Sequence, residues 1–391
     1  MTYLNYNSTN APLNQHLNIS DIAYDQVMLS RRSLNAFMIA CKRFVNAPKN
    51  ARVIINSGAT ESIATCVNWA RSINPYGVIY GTDFDHSSVK DNCKNFEMEY
   101  QKLGKRIPRN ASMLMLTHVS GSTGEYIDME NFTRNFESYT FLSESDASVD
   151  SSVITEEHRL RQYKPLIVLD ASQSVTKLRI DMEKWNLNAV FWSMHKIGGA
   201  QGLGVLVIND DSKHKFRPLI GGSQQSGLRG GTLGLTDLIS AEKLLKMRPI
   251  KTSQAWKAAV DYLKDSGMDV VIPTKQHLFN TILIRLKHCP LGVINRLAKK
   301  QIYVGAISAC ALEQYIDNPQ KAKEEVESFI RLSFVDPLQV DRKVLTEIIA
   351  AVKQAQAQAP AEEQEIAPAE DLILGGLGEE EEEYLTEIAF A

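Results

Sequence analysis

Ala189-Val-Phe-Trp-Ser-Met-His-Lys196 is an apolar run of strand length closed by a lysine, and Pro165-Leu-Ile-Val-Leu-Asp170 is an earlier one closed by a carboxylate. Arg52-Val-Ile-Ile-Asn56, Gly77-Val-Ile-Tyr80 and Ser112-Met-Leu-Met-Leu-Thr117 share that texture, with helical stretches between most of them. Near-continuous apolar strands alternating with helices predict an α/β chain whose mainly parallel sheet carries helices on both faces. Ligands of such sheets sit beyond the carboxyl ends of the strands. His86, Asp170 and Lys196 all fall in or just past such ends. Gly202-Leu-Gly-Val-Leu-Val-Ile208 reads as a glycine-led strand running back from the lysine.

A lysine and a carboxylate at neighbouring strand ends are the pair that pyridoxal 5'-phosphate requires. The amine bonds to the aldehyde, and the carboxylate keeps the pyridine nitrogen protonated, so the ring takes up electrons. Further features match the same cofactor. Ser57-Gly-Ala59-Thr60-Glu-Ser62 follows a strand and opens a helix. Ser57 or Thr60 is the expected cap, and the amides of the turn, together with Thr60, suit a phosphate. Gln173, three residues past Asp170, is placed to reach the ring's phenolic oxygen, and His86 to stack on the ring. Gly227-Leu-Arg229-Gly-Gly-Thr232 is a glycine-rich loop suited to close approach by a phosphate.

Composition agrees with a globular enzyme: 391 residues, 44% apolar and 23% charged, enough for one large and one smaller core. No apolar run approaches the roughly 20 residues that span a bilayer, and the N-terminus has no signal-peptide pattern. The five cysteines (Cys41, Cys66, Cys93, Cys289, Cys310) show no metal spacing, and an odd number favours a reducing, cytoplasmic setting. The net charge of −3 conceals an asymmetry, because eleven acids and no basic residues follow Lys353. The remaining body is mildly basic but has no aromatic-interleaved basic stripe, so neither nucleic acid nor membrane is an expected partner.

The chain divides by texture into an irregular polar arm (1–20), a large cofactor-binding domain (21–244), a smaller α/β domain (245–353) and an acidic tail (354–391). The small domain should contain a helix near Ala255–Ser266 and a strand at Val270–Ile272. Residues 136–160 and the tail have the composition of solvated, disordered segments.

In these motifs the chain resembles the class V (fold-type I) pyridoxal phosphate enzymes, and within them the NifS-like cysteine desulfurases. Tyr3-Leu-Asn5-Tyr-Asn-Ser-Thr resembles the family's opening segment, and Asn56–Ser62 its phosphate turn. Leu169-Asp-Ala-Ser-Gln-Ser-Val175, Ser193-Met-His-Lys196 and Gly221–Thr232 are similar to its cofactor signatures. The resemblance implies a three-layer fold with a mainly parallel seven-stranded sheet and a smaller C-terminal α/β domain. It implies that Lys196 holds the cofactor and moves protons, that Asp170 pairs with the ring nitrogen, and that Gln173 pairs with the ring oxygen. His86 would stack and assist proton transfer. Ala59, Thr60, Ser193 and His195 would bind the phosphate, joined by Thr232 of a partner subunit, hence a homodimer. Cys310, in Ile-Ser-Ala-Cys-Ala, matches the cysteine that takes sulfur from L-cysteine as a persulfide, leaving L-alanine. Arg331, in Phe-Ile-Arg-Leu-Ser, matches the arginine that grips the substrate carboxylate. A sulfur-acceptor or scaffold protein, as in iron–sulfur cluster assembly, is the implied partner.

The pattern also departs from that family. Gly121, in His118-Val-Ser-Gly-Ser-Thr-Gly124, stands where an asparagine contacts the phenolic oxygen, and a lost hydrogen bond to a charged group costs about 1.5–3 kcal/mol. The segment before Ser57 is short, Asn5 replaces an aspartate, and the loop after Cys310 is short. These differences keep two other expectations open: another class V enzyme (an aminotransferase, or a selenocysteine or cysteine-sulfinate lyase), and a non-catalytic interaction protein. The remaining cysteines read as packing residues, His118 as a packed or rim histidine, and His158 and His214 as loop residues.

Overall fold

The structure, a computed structural model, describes residues 2–4, 26–104, 107–108, 110–139, 164–209, 215–233, 241, 244–245, 253–272, 276–287, 290–306, 328–334 and 341–358. Two sheets organise them. The larger has seven strands in the order β2-β8-β7-β6-β5-β3-β4. These are β2 (Arg52–Asn56), β3 (Val78–Gly81), β4 (Glu99–Lys102), β5 (Ala111–Thr117), β6 (Leu166–Asp170), β7 (Ala189–Ser193) and β8 (Gly204–Ile208). β3, β4, β5, β6 and β7 pair in parallel, while β8 runs antiparallel to both β7 and β2. The expected mainly parallel sheet, with one strand returning after the lysine, is therefore the observed one.

Both faces of this sheet are buried, which is why its strands read as unbroken apolar runs. Ile55, Leu116, Leu169, Val190 and Val205 point to one face, against Phe37, Cys41 and Val45 of α1 (Gln26–Phe44) and the turn that follows it. Ile54, Met115, Val168, Phe191 and Leu206 point to the other, against α2 (Ala59–Ile73) and α3 (Ser87–Asn95). The period of two along each strand sorts the side chains between the layers. Trp69 and Trp192, one on each side, are almost wholly buried, and side chains of this kind stabilise by about 1.5–3 kcal/mol or more each.

The second sheet has five strands in the order β1-β11-β12-β10-β9: β1 (Thr2–Leu4), β9 (Val270–Val271), β10 (Thr281–Leu286), β11 (Ile302–Ala306) and β12 (Ser328–Ser333). It packs on α5 (Ser253–Asp265), α6 (Leu291–Lys299) and α7 (Arg342–Gln358) around Leu263, Ile284, Leu297, Ile330 and Ile348. The sequence reading needs correction at three places. The start of the N-terminal arm is not irregular, because Thr2–Leu4 pair in parallel with β11 and bury Leu4 in this core. Helix α4 (Met129–Tyr139) runs into the segment assigned to the insertion, whose remainder lies outside the described residues. Helix α7 continues past Lys353 to Gln358, and Ala355 packs against the same core as Leu345, Ile348 and Val352 beyond the expected boundary. The acidic residues after it are outside the described set.

The two sheets meet around residues 119–127. Tyr126 N donates to Gln276 O at 3.0 Å, Leu278 N to Gly124 O at 2.8 Å, and Arg331 Nη1 to Gly121 O at 3.0 Å. No helix among the described residues is long and apolar enough to cross a membrane.

Candidate functional site

The β2–α2 turn is shaped by its glycine and its neighbours. Gly58, at φ 148°, is the residue preceding α2, and no side chain caps the helix. The expected cap by Ser57 or Thr60 is not formed. Instead Ala59 N donates to Ser193 Oγ at 2.8 Å, Gly58 N to Asn56 Oδ1 at 3.1 Å, and Ser57 N to Glu61 Oε2 at 2.9 Å. The helix start is thus satisfied partly from the end of β7, which ties this turn to the Ser193-Met-His-Lys segment. Gly204 permits the contact, since a Cβ there would lie 2.4 Å from Gly58 Cα. A pocket of about 320 Å³ opens at this helix N-terminus, lined by Gly58, Ala59, Thr60, Ser193, His195 and Gln201 among others. Amides of a helix start beside hydroxyls suit an anion. Burial, and then the Lys196 charge, push the His195 imidazole down to about 4, so it faces the pocket neutral at pH 7.

The glycine-rich loop braces the pocket from behind. Arg229 grips Glu61 through Nε to Oε1 at 2.9 Å and Nη2 to Oε2 at 3.1 Å. Burial would raise the Glu61 carboxyl, but the hydrogen bonds from Arg229 and Ser57 outweigh it and hold it below its usual range. Gln225, at φ 49°, gives its Nε2 to Ile55 O and takes Ile55 N on Oε1, both at 2.8 Å. A single side-chain amide thereby pairs with both backbone groups of Ile55 on the open edge of β2. Thr232 is exposed on this loop and does not line the pocket.

The other end of the site lies at the carboxyl ends of β5, β6 and β7. Asp170 ends β6, buried at 6% exposure, and Lys196 lies in the short 3₁₀ turn Met194–Ile197 directly after β7. Burial raises the Asp170 carboxyl against the opposing pull of a Ser172 hydrogen bond and of the His86 and Lys196 charges. His86 and Lys196 thus lie within electrostatic reach of Asp170. His86 precedes α3, and its Nδ1 accepts from Ser88 N at 3.2 Å, which fixes the orientation of the ring. Gln173 lies beside Gly121, where a Cβ would stand 3.3 Å from its Nε2. Arg331, at 2% exposure on β12, reaches in from the second sheet to the Gly121 carbonyl.

Two residues of this site gave no signal in the sequence. Asp85, next to His86, accepts from Thr82 Oγ1 at 2.7 Å, Thr117 Oγ1 at 2.7 Å and Tyr100 Oη at 3.0 Å. It fixes the loop that presents His86, but its partners are scattered along the chain. Lys177 points back from the loop after β6 and donates to Gln173 Oε1 at 3.3 Å.

Other sequence expectations are met by packing. Cys41, Cys66 and Cys93 are buried thiols, and burial pushes all three pKa values up. His118 is buried and packs edge-on against Trp185 at 5.7 Å, a packed histidine as expected. No cluster of His, Cys, Asp and Glu among the described residues could hold a metal. Cys289, Cys310, His158, His214 and Asn5 lie outside the described residues. The strands flanking the Cys310 segment, β11 and β12, pair antiparallel with Gly305 opposite Arg331.

The residues present fit pyridoxal phosphate. A pocket at a helix start lies beside the residue before a lysine, and a buried carboxylate that burial pushes up feels that lysine's charge. The family model for aminotransferase class-V matches residues 151–331. The chain is 26% identical over 237 residues to a cysteine desulfurase IscS of Plasmodium falciparum, covering 56% of this chain and 40% of that protein. It is 32% identical over 193 residues to a mitosomal cysteine desulfurase of Trachipleistophora hominis, covering 46% and 40%. The chain thus spans about 40% of the length of these curated relatives. Among solved structures, a NifS-like protein superposes with a TM-score of 0.72 at 17% identity, covering 90% of this chain and 100% of that one.

Proposed function

We propose that this chain, a member of the class V aminotransferase family with the NifS-like fold, is a pyridoxal phosphate-dependent cysteine desulfurase. The convergence of Asp170, Lys196 and His86 beside the phosphate-type pocket carries this reading. When bound, the cofactor supplies an electron sink that weakens bonds at the substrate's α-carbon. Ala59, Thr60, Ser193 and His195 would hold its phosphate. Asp170 would keep the ring nitrogen protonated, which relieves the buried carboxylate's need for a positive partner. His86 would cover the ring with its orientation fixed by Ser88, and Gln173 would donate to the ring oxygen.

Arg331 is the group for the carboxylate of L-cysteine, buried at the sheet junction and paired opposite Gly305. Lys196 Nζ would hold the cofactor and then carry a proton to or from the substrate carbon. Cys310 Sγ would attack the substrate sulfur. The carbon–sulfur bond breaks, a sulfur–sulfur bond forms on Cys310, and the displaced carbon takes up a proton to become alanine. The persulfide would pass to an acceptor protein in a reducing compartment. Thr232, exposed on its loop, is the residue through which a second copy would complete the phosphate site.

The test is turnover. Purified protein with pyridoxal phosphate should show a visible absorption band and form alanine and Cys310 persulfide from L-cysteine. Lys196→Ala should lose the band and the activity, and Cys310→Ala only the persulfide and the activity. Alanine formation undiminished in Cys310→Ala would point instead to a class V enzyme that does not use this thiol.

A further inference from the structure

We propose that Lys177 is a positioning residue of this site, fixing the amide of Gln173 so that its N–H end faces the cofactor's ring oxygen. This rests on the pyridoxal phosphate reading above. The loop after Asp170 is a rigid double turn. Ser172 N donates to Asp170 Oδ1 at 2.8 Å, Val175 N to Ala171 O at 2.8 Å, and both Lys177 N and Leu178 N to Ser174 O at 2.8 Å. Thr176 adopts φ 66°, a left-handed conformation that is costly for a β-branched residue. The chain thereby turns back, and Lys177 Nζ reaches Gln173 Oε1 at 3.3 Å.

That contact decides which way the amide faces. Below its amine's pKa Lys177 is an ammonium with donors only, and in this form it selects the oxygen end of Gln173 and leaves Nε2 on the side of Gly121, 3.3 Å from the place a Cβ would take. Gly121 has no side chain to donate. The donor that a phenolate oxygen needs therefore comes from Gln173, in the orientation Lys177 sets. The charged groups facing Lys177 are Lys196 and Arg331, and burial followed by these two cations lowers its amine to about 7. The anionic oxygen and the substrate carboxylate are the groups that would balance this cluster.

The experiment uses the full chain with Lys177→Met, which keeps length without donor or charge, and Lys177→Arg, which keeps both. Apoprotein is titrated with pyridoxal phosphate, and the pH midpoint of the bound cofactor's visible band is recorded. Lys177→Met should bind about tenfold more weakly, the factor for one lost charge-assisted hydrogen bond, and its midpoint should move to higher pH because the anionic oxygen loses its donor. Lys177→Arg should restore most of both. In a Gln173→Ala background, Lys177→Met should have little further effect. If Lys177→Met fails to fold, Lys177→Gln replaces it in the same cycle. Unchanged affinity and midpoint in Lys177→Met, or an effect that persists in full without Gln173, overturns the assignment. A parent chain that binds no pyridoxal phosphate sinks the site reading as well, whereas a binding parent with an indifferent Lys177→Met sinks this inference alone.

Discussion

His118 should make the protein lose stability on mild acidification, and the size of the loss follows from its surroundings. The ring is 3% exposed, packs on Trp185, and its Nδ1 finds no partner among the described residues. Burial moves its pKa from 6.5 down to about 4. The folded chain therefore refuses a proton that the unfolded chain accepts between those values, so the unfolded state binds more protons and stability falls as pH falls. The full contribution is present above pH 6.5 and is gone near pH 4, a total of about 3 kcal/mol, of which about 2 kcal/mol is lost by pH 5. The measurement compares urea unfolding of the parent and of His118→Phe at about pH 7 and about pH 5. His118→Phe keeps a ring against Trp185 but cannot titrate. Its absolute stability is free to differ, since only the change with pH is read. His195 moves in the same direction but is present in both proteins and cancels. Parallel losses in the two chains would refute the reasoning. They would mean that His118 is solvated or partnered in the folded state.

Gln225→Ala should lower stability by about 2–4 kcal/mol, because Ile55 N and O lose their partners on a strand edge that is otherwise buried; urea unfolding within about 0.5 kcal/mol of the parent contradicts this. Arg229→Ala should cost about 2–3 kcal/mol by leaving the Glu61 carboxylate beside the pocket without its guanidinium, and Arg229→Lys should recover only part, since an ammonium cannot reproduce the two-point contact. Recovery in full by lysine would show the pair to be a simple charge effect. Asp170→Asn should retain pyridoxal phosphate but lower kcat for L-cysteine by about 100-fold or more, because an amide cannot hold the ring nitrogen protonated; unchanged kcat would remove Asp170 from the chemistry.

Where side chains must follow a local pattern, the amino-acid order alone was enough. Strands β2, β5, β6 and β7 are legible because both faces of the sheet are buried, so each is an apolar run bounded by polar residues. Asp170, Lys196 and His86 are legible for the same reason, as polar groups just past the ends of such runs. Tertiary structure decided whatever depends on contacts between distant segments. The helix after Gly58 takes its first partner from Ser193, 134 residues away, so no nearby cap was needed and the expected one did not form. Thr2–Leu4 became a strand because β11 offered an unpaired edge, which three residues of local sequence cannot reveal. Lys177 carries no local mark of its role, because the left-handed turn at Thr176 is what sends it back to Gln173. The physical reason is common to all three: periodicity reports which face of an element avoids water, whereas hydrogen bonds and charge fields across the fold depend on which elements become neighbours.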